Sequence, residues 1–86
     1  KRQVLDAPNI VVETVKPAED GSGDVVVRLY EAKRTATRCA LMTTLPVTRA
    51  VQTDMLERAQ APLRLTEGCV ELDFRPFEIK TVRLSR

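Results

Sequence analysis

The run Cys69-Val70-Glu71-Leu72-Asp73-Phe74-Arg75-Pro76-Phe77-Glu78-Ile79-Lys80-Thr81-Val82-Arg83-Leu84 decides the fold class. Its first six residues alternate strictly, with Val70, Leu72 and Phe74 on one side and Cys69, Glu71 and Asp73 on the other. Successive side chains of an extended chain leave opposite faces, so this is a strand with one face in a core and the other in water. A second strand follows over 77–84. Pro76 has no amide hydrogen to give a ladder, so it belongs at the join between the two. Phe77 and Ile79 share one parity, whereas Val82 and Leu84 share the other. That switch predicts a β-bulge, or a crossing from one sheet to another, near Lys80-Thr81. Phe74 and Phe77 both fall at core parity.

The rest of the chain speaks the same language. Val and Thr recur, and Gly and Pro gather between apolar runs, which is strand and turn chemistry. Residues 9–16 read as a strand, Pro17-Ala18-Glu19-Asp20-Gly21-Ser22-Gly23 as a turn-rich connection, and 24–33 as the antiparallel partner. Further strands are expected over 36–45, closed by Pro46, and over 47–57. After Pro62 a short segment, Leu63-Arg64-Leu65, leads to a turn at Glu67-Gly68. A short helix within 48–61 is the alternative there, because Val51, Met55 and Leu56 have some helical spacing. The expectation is an all-β fold: a small antiparallel, immunoglobulin-like β-sandwich of six to seven strands over residues 9–86, with 1–8 as an N-terminal tail or linker.

Strand 24–33 is apolar on both sides. Val25, Val27 and Leu29 face one way, Val26 and Tyr30 the other. Scattered surface hydrophobes are ordinary, but a contiguous apolar patch marks a partner surface. Val26 and Tyr30 are therefore the candidate interdomain contact, and the Tyr30 hydroxyl suits a half-wet interface.

Composition sets the outer limits. A chain of 86 residues is one domain, and a domain of this size hides only ~60–65% of its unfolded surface. Hydrophobic content of 43% with 30% charged residues describes a globular protein. No apolar run approaches the ~20 residues a membrane helix needs, and the first residues, Lys1-Arg2-Gln3-Val4-Leu5-Asp6, lack an apolar leader. The chain starts on Lys1, which suggests an excised or processed piece. Cys39 and Cys69 are too few for a disulfide scaffold, so two reduced thiols and a cytoplasmic location are expected. Fourteen basic and twelve acidic residues are interspersed for a net charge of +2, so no electrostatic stripe points to nucleic acid.

Chemistry is sparse. The chain has no histidine, which removes the commonest general base and the commonest metal ligand. Cys39 and Cys69 lack metal-ligand spacing. Glycoside hydrolysis needs two carboxylates across a cleft. Glu13, Glu31, Asp54, Glu57, Glu71, Asp73 and Glu78 are available, but Glu71 and Asp73 alternate onto a solvated face. Gly21, Gly23 and Gly68 sit in turns and form no phosphate loop. Without Trp, Tyr30 is the one ring free to meet a sugar or a neighbouring domain. No catalytic, metal or cofactor-binding residue is assigned.

Four segments carry a family resemblance: Arg75 to Leu84, Asn9-Ile10-Val11-Val12-Glu13-Thr14-Val15-Lys16, Val27-Arg28-Leu29-Tyr30-Glu31-Ala32 and Thr53-Asp54-Met55-Leu56-Glu57-Arg58. They resemble, in order, segments of the C-terminal β-sandwich of family 38 glycoside hydrolases, the α-mannosidases. The match is loosest at 34–50 and 59–68. The resemblance implies a parent enzyme whose catalytic carboxylates and zinc ligands lie in an N-terminal α/β barrel, with no counterpart in this sequence. It implies core positions for Phe77 and Ile79 and polar positions within matched motifs for Glu31 and Glu57. The expected role is a non-catalytic domain that braces the parent, whose remaining chain is its partner. The rivals are a carbohydrate-binding module and an unrelated immunoglobulin-like interaction domain.

Overall fold

A computed structural model of the chain describes the backbone of residues 3–5, 7–43, 47–53 and 59–85, and the side chains of 7–43, 47–53 and 61–85. Within them the fold is a two-sheet antiparallel β-sandwich. The strands are β1 (Gln3–Leu5), β2 (Ile10–Pro17), β3 (Val25–Glu31), β4 (Thr37–Thr43), β5 (Arg49–Thr53), β6 (Ala59–Leu63), β7 (Leu65–Thr66), β8 (Cys69–Phe74) and β9 (Ile79–Ser85). One sheet runs β1-β4-β8-β7 and the other β2-β3-β9-β5-β6. The all-β sandwich expected from sequence is what the chain forms, with nine strands among the described residues where six or seven were expected.

The core lies between the sheets and follows the alternation. Cys39 and Leu41 of β4 with Val70, Leu72 and Phe74 of β8 come from one side. Ile10, Val27, Leu29, Ala50, Val82 and Leu84 come from the other. Leu29, Leu41, Leu84, Val27, Val70 and Val82 are each less than 2% exposed. Burying a side chain of this kind stabilises the fold by roughly 1.5–3 kcal/mol. Glu71 and Asp73 are exposed on the outer face of β8, and Asp73 accepts from Arg38 Nε at 2.9 Å across the β4–β8 pair. With both partners well exposed, that ion pair adds little.

Two connections show how turn chemistry sets register. Glu67 (φ 50°) and Gly68 (φ 81°) both occupy the left-handed region and join β7 to β8. A two-residue hairpin needs that conformation to match strand twist. The Gly68 carbonyl also accepts from the Thr43 amide, at 2.9 Å, beside the end of β4. In the 18–24 connection, the Asp24 carbonyl accepts from the Ala18 amide at 2.9 Å. There Arg83 ties the loop down, donating to Asp24 Oδ2 at 2.6 Å and Asp20 Oδ2 at 2.7 Å. Arg83 lowers the carboxyl pKa of both, that of Asp20 to about 2, chiefly through these hydrogen bonds.

Several local expectations change. Gln3–Leu5, read as part of a tail, pairs with Leu41–Thr43 and adds an edge strand. Ala59–Leu63 pairs with β5 although it contains Pro62; it is the edge strand of its sheet, where a missing amide costs least. The helix alternative for 48–61 fails over 49–53 and 59–61, which are strand; residues 54–58 lie outside the described residues. The bulge sits between Val12 and Thr14 of β2, and β9 holds one register against both neighbours.

The core assignment of Phe77 and Ile79 is corrected: they are 56% and 59% exposed. For Phe77 the physical reason is the turn that precedes β9, and for Ile79 it is Lys80. It takes the inward parity of Val82 and Leu84 at the end of the sheet. There its ammonium reaches Gln52 Oε1 at 3.3 Å and Glu78 Oε2 at 3.4 Å, 5.8 Å from the centre of the Phe74 ring. With the cation satisfied inside, Ile79 turns outward without any break in the strand.

Candidate functional site: an apolar groove on the outer face

The outward face of the five-stranded sheet is laid out by register. Lys16, Val26, Arg83 and Val51 form one row across it. Thr14, Arg28, Thr81 and Thr53 form the next, and Val11, Tyr30 and Ile79 the third. The third row opens into a groove of about 380 Å³ lined by Glu13, Tyr30, Glu31, Ala32, Phe77 and Ile79. Three of those lining residues, Tyr30, Phe77 and Ile79, are large and apolar in body.

The two candidate contact residues sit on this face in different circumstances. Tyr30 opens into the groove. Val26 points the same way but is only 3% exposed, set among Thr14, Lys16 and Arg28 around a small hollow. Long basic side chains shield an apolar neighbour with their aliphatic stems. Sequence reasoning found Tyr30 and missed Phe77 and Ile79, which it had placed inside.

Phe77 owes its position to a turn. Arg75-Pro76-Phe77-Glu78 closes with the Glu78 amide donating to the Arg75 carbonyl at 3.0 Å, and Phe77 has φ 60°. Pro at the second position and positive φ at the third define a type II turn, in which the third residue is ordinarily Gly or Asn. Phe there carries left-handed strain of about 1–2 kcal/mol. Arg34 has φ 59° in the facing loop, and its guanidinium lies 5.7 Å from the centre of the Phe77 ring. Two strained residues thus meet at one edge of the groove.

Glu31 holds both turns in place. Its carboxylate, 1% exposed, accepts from the Phe77 amide at 2.9 Å, the Lys33 amide at 2.7 Å and Asn9 Nδ2 at 2.9 Å. Burial pushes its pKa up, but the Phe77 amide, the Asn9 side chain and the Lys33 and Thr35 amides together outweigh burial and hold it at about 2. The buried side chain is therefore an anion whose work is to clamp backbone, not to exchange protons. The resemblance had marked Glu31 only as polar; Glu57, marked likewise, lies outside the described residues.

Among the described residues no three His, Cys, Asp or Glu side chains stand close enough to hold a metal ion. Those residues supply no donor set for zinc. Cys39 is buried in the core and Cys69 half-buried. The site is therefore an exposed apolar groove with a strained, clamped rim.

Comparison with known proteins agrees with the fold. The profile of the glycosyl hydrolases family 38 C-terminal beta sandwich domain matches residues 9–82. This chain belongs to that family. Alpha-mannosidase 2C1 of Homo sapiens is 37% identical over 84 residues, covering 93% of this chain. Alpha-mannosidase 2C1 of Mus musculus is 36% identical over the same length and share. The chain spans only 8% of the length of either relative. As a family 38 C-terminal domain it has its groove built from three of the resembling segments: Asn9 to Lys16 (through Glu13), Val27 to Ala32, and Arg75 to Leu84.

Proposed function

We propose that this chain is a non-catalytic C-terminal sandwich that braces the architecture of an α-mannosidase, an enzyme that hydrolyses terminal α-mannosyl residues. Catalysis and zinc belong, on this reading, to another domain of the parent. Among the described residues no donor set for a metal forms, and of the two carboxylate residues lining the groove, Glu13 and Glu31, the latter is committed to backbone amides and the Asn9 side chain. The observation that carries the proposal is the outward groove, where Tyr30, Phe77 and Ile79 form an apolar patch that the sandwich itself leaves open. Patches of that kind mark interaction surfaces, and the contacts between domains of one chain resemble protein–protein interfaces. Tyr30 makes the contact in this proposal, with Val26 beneath the basic side chains beside it. A cysteine count of two, too low for a disulfide scaffold, supports a cytoplasmic parent.

The test is the size and activity of the native polypeptide, captured with an antibody against this domain. A long chain with zinc-dependent α-mannosidase activity is the expected result. A small free-standing protein without that activity sinks the proposal.

A second reading, carbohydrate binding, draws on the Tyr30 and Phe77 rings and the Glu13 carboxylate around the groove. Sugars need several polar partners, and the Glu31 carboxylate is already committed to backbone amides. Titration with α-mannobiose separates the two, since shifts centred on Tyr30 favour the sugar and their absence favours the brace.

A further inference from the structure

Two concavities lie side by side on the outward face of the five-stranded sheet. One is the apolar groove of about 380 Å³. The other is a hollow of about 60 Å³ lined by Thr14, Lys16, Val26 and Arg28. Arg28 and Tyr30 are two positions apart on β3, so their side chains leave the same face roughly 7 Å from one another.

Arg28 differs from three other arginines of the domain. Arg83 is satisfied by Asp20 and Asp24, Arg38 by Asp73, and Arg34 covers the Phe77 ring. Arg28 Nε is buried and, among the described residues, has no hydrogen-bond partner. Buried polar groups in native proteins are paired, so an orphan donor calls for an acceptor that the domain itself does not supply. A carboxylate is the acceptor whose geometry fits a guanidinium fork.

Resting on the brace reading, we infer that this face is a two-part socket for the remainder of the parent chain. The segment that docks there carries an apolar side chain for the groove and, beside it, an Asp or Glu for Arg28. Two observations favour the parent chain as occupant. The relatives' sequence lies overwhelmingly outside the matched region, since this chain spans 8% of each. A neighbour on the same polypeptide also acts at high effective concentration, so a patch this small suffices to hold it. Charge complementarity then sets the register of docking, as it does at protein interfaces generally.

The experiment is hydroxyl-radical labelling of the native parent polypeptide, each residue's rate divided into its rate in denaturant. Phe77 and Ile79 are 56% and 59% exposed on this domain, and Val15 and Met42 are 48% and 42% exposed. On a free surface all four are slowed about twofold by their fractional exposure alone, whereas a desolvated contact excludes the reagent. Docking therefore slows Phe77 and Ile79 at least about tenfold and leaves Val15 and Met42 near twofold. Arg28→Glu then returns Phe77 and Ile79 to about twofold by opposing the partner's carboxylate, while Arg38→Glu on the far sheet changes nothing. Phe74, 3% exposed, reports in every variant that the sandwich is intact. If Arg28→Glu exposes Phe74, Arg28→Gln is read in its place.

Free labelling of Phe77 and Ile79 in a long, active α-mannosidase overturns the socket while leaving the brace reading to another face. Intact protection in the Arg28 variant overturns the carboxylate. Protection that depends on protein concentration, or on added α-mannobiose, assigns the groove to a second copy or to a sugar and overturns the proposal. A native polypeptide without the enzyme sinks both readings together.

Discussion

Replacing Phe77 by Asn should cost the domain less stability than replacing it by Ala, although Asn is the more polar residue. The ring is 56% exposed. Less than half of an aromatic side chain's ~150–250 Å² is therefore withdrawn from water, which at ~25 cal/mol per Å² stabilises the fold by roughly 2 kcal/mol. Both substitutions forfeit that. Only Asn recovers backbone energy, because it tolerates the left-handed conformation at φ 60° that costs other residues about 1–2 kcal/mol. The expected losses are about 1 kcal/mol for Phe77→Asn and about 2 for Phe77→Ala. Phe74→Ala, which empties a position 3% exposed, should cost about 3–5 kcal/mol. Urea unfolding of the chain at pH 7, followed by far-ultraviolet circular dichroism, measures all three, with the slope confirming that each variant unfolds in one step. An Asn variant weaker than the Ala variant would refute the strain argument. Equal losses for Phe77→Ala and Phe74→Ala would return Phe77 to the core.

Three further outcomes follow from the clamps and turns. Glu31→Gln should flatten the acid limb of the stability curve. The folded carboxyl titrates at about 2 against an ordinary value of 4.5, so the unfolded chain binds the proton first as pH falls. Its contribution is complete above 4.5, declines toward 2, and is absent in the Gln variant when melting temperature is followed from pH 6 to 2. Asp24→Asn should destabilise by roughly 1–3 kcal/mol, because it weakens a part-buried charge-assisted bond to Arg83; Asp20→Asn, at a 55% exposed side chain, should cost less in the same melts. Gly68→Ala should cost more than Gly21→Ala. Both glycines have positive φ, but a Cβ at Gly68 meets the Thr43 carbonyl oxygen at 3.0 Å, whereas one at Gly21 meets nothing; comparison of denaturation midpoints checks the order.

The sequence by itself determined the fold class, because period-two alternation reports faces wherever one side of a strand is wet. Val70, Leu72 and Phe74 were legible for that reason, as were the two sides of β3 and the turns at 17–23 and Glu67-Gly68. The family was legible too, in Arg75 to Leu84 and three other segments. Alternation does not say which face of a strand is the core when both carry apolar residues. At β9 the inward Lys80 and the outward Ile79 break the hydropathy rule together, and only their tertiary neighbours, Gln52, Glu78 and Phe74, show why the break is tolerated. The short edge strands Gln3–Leu5 and Ala59–Leu63 escaped notice because three to five residues carry too little periodicity, and Pro62 argued against one of them. The burial of Glu31 was decided wholly in three dimensions. Its partners, Asn9 and the Phe77 amide, lie 22 and 46 positions away, and a carboxylate enters a protein interior only where such distant donors converge on it.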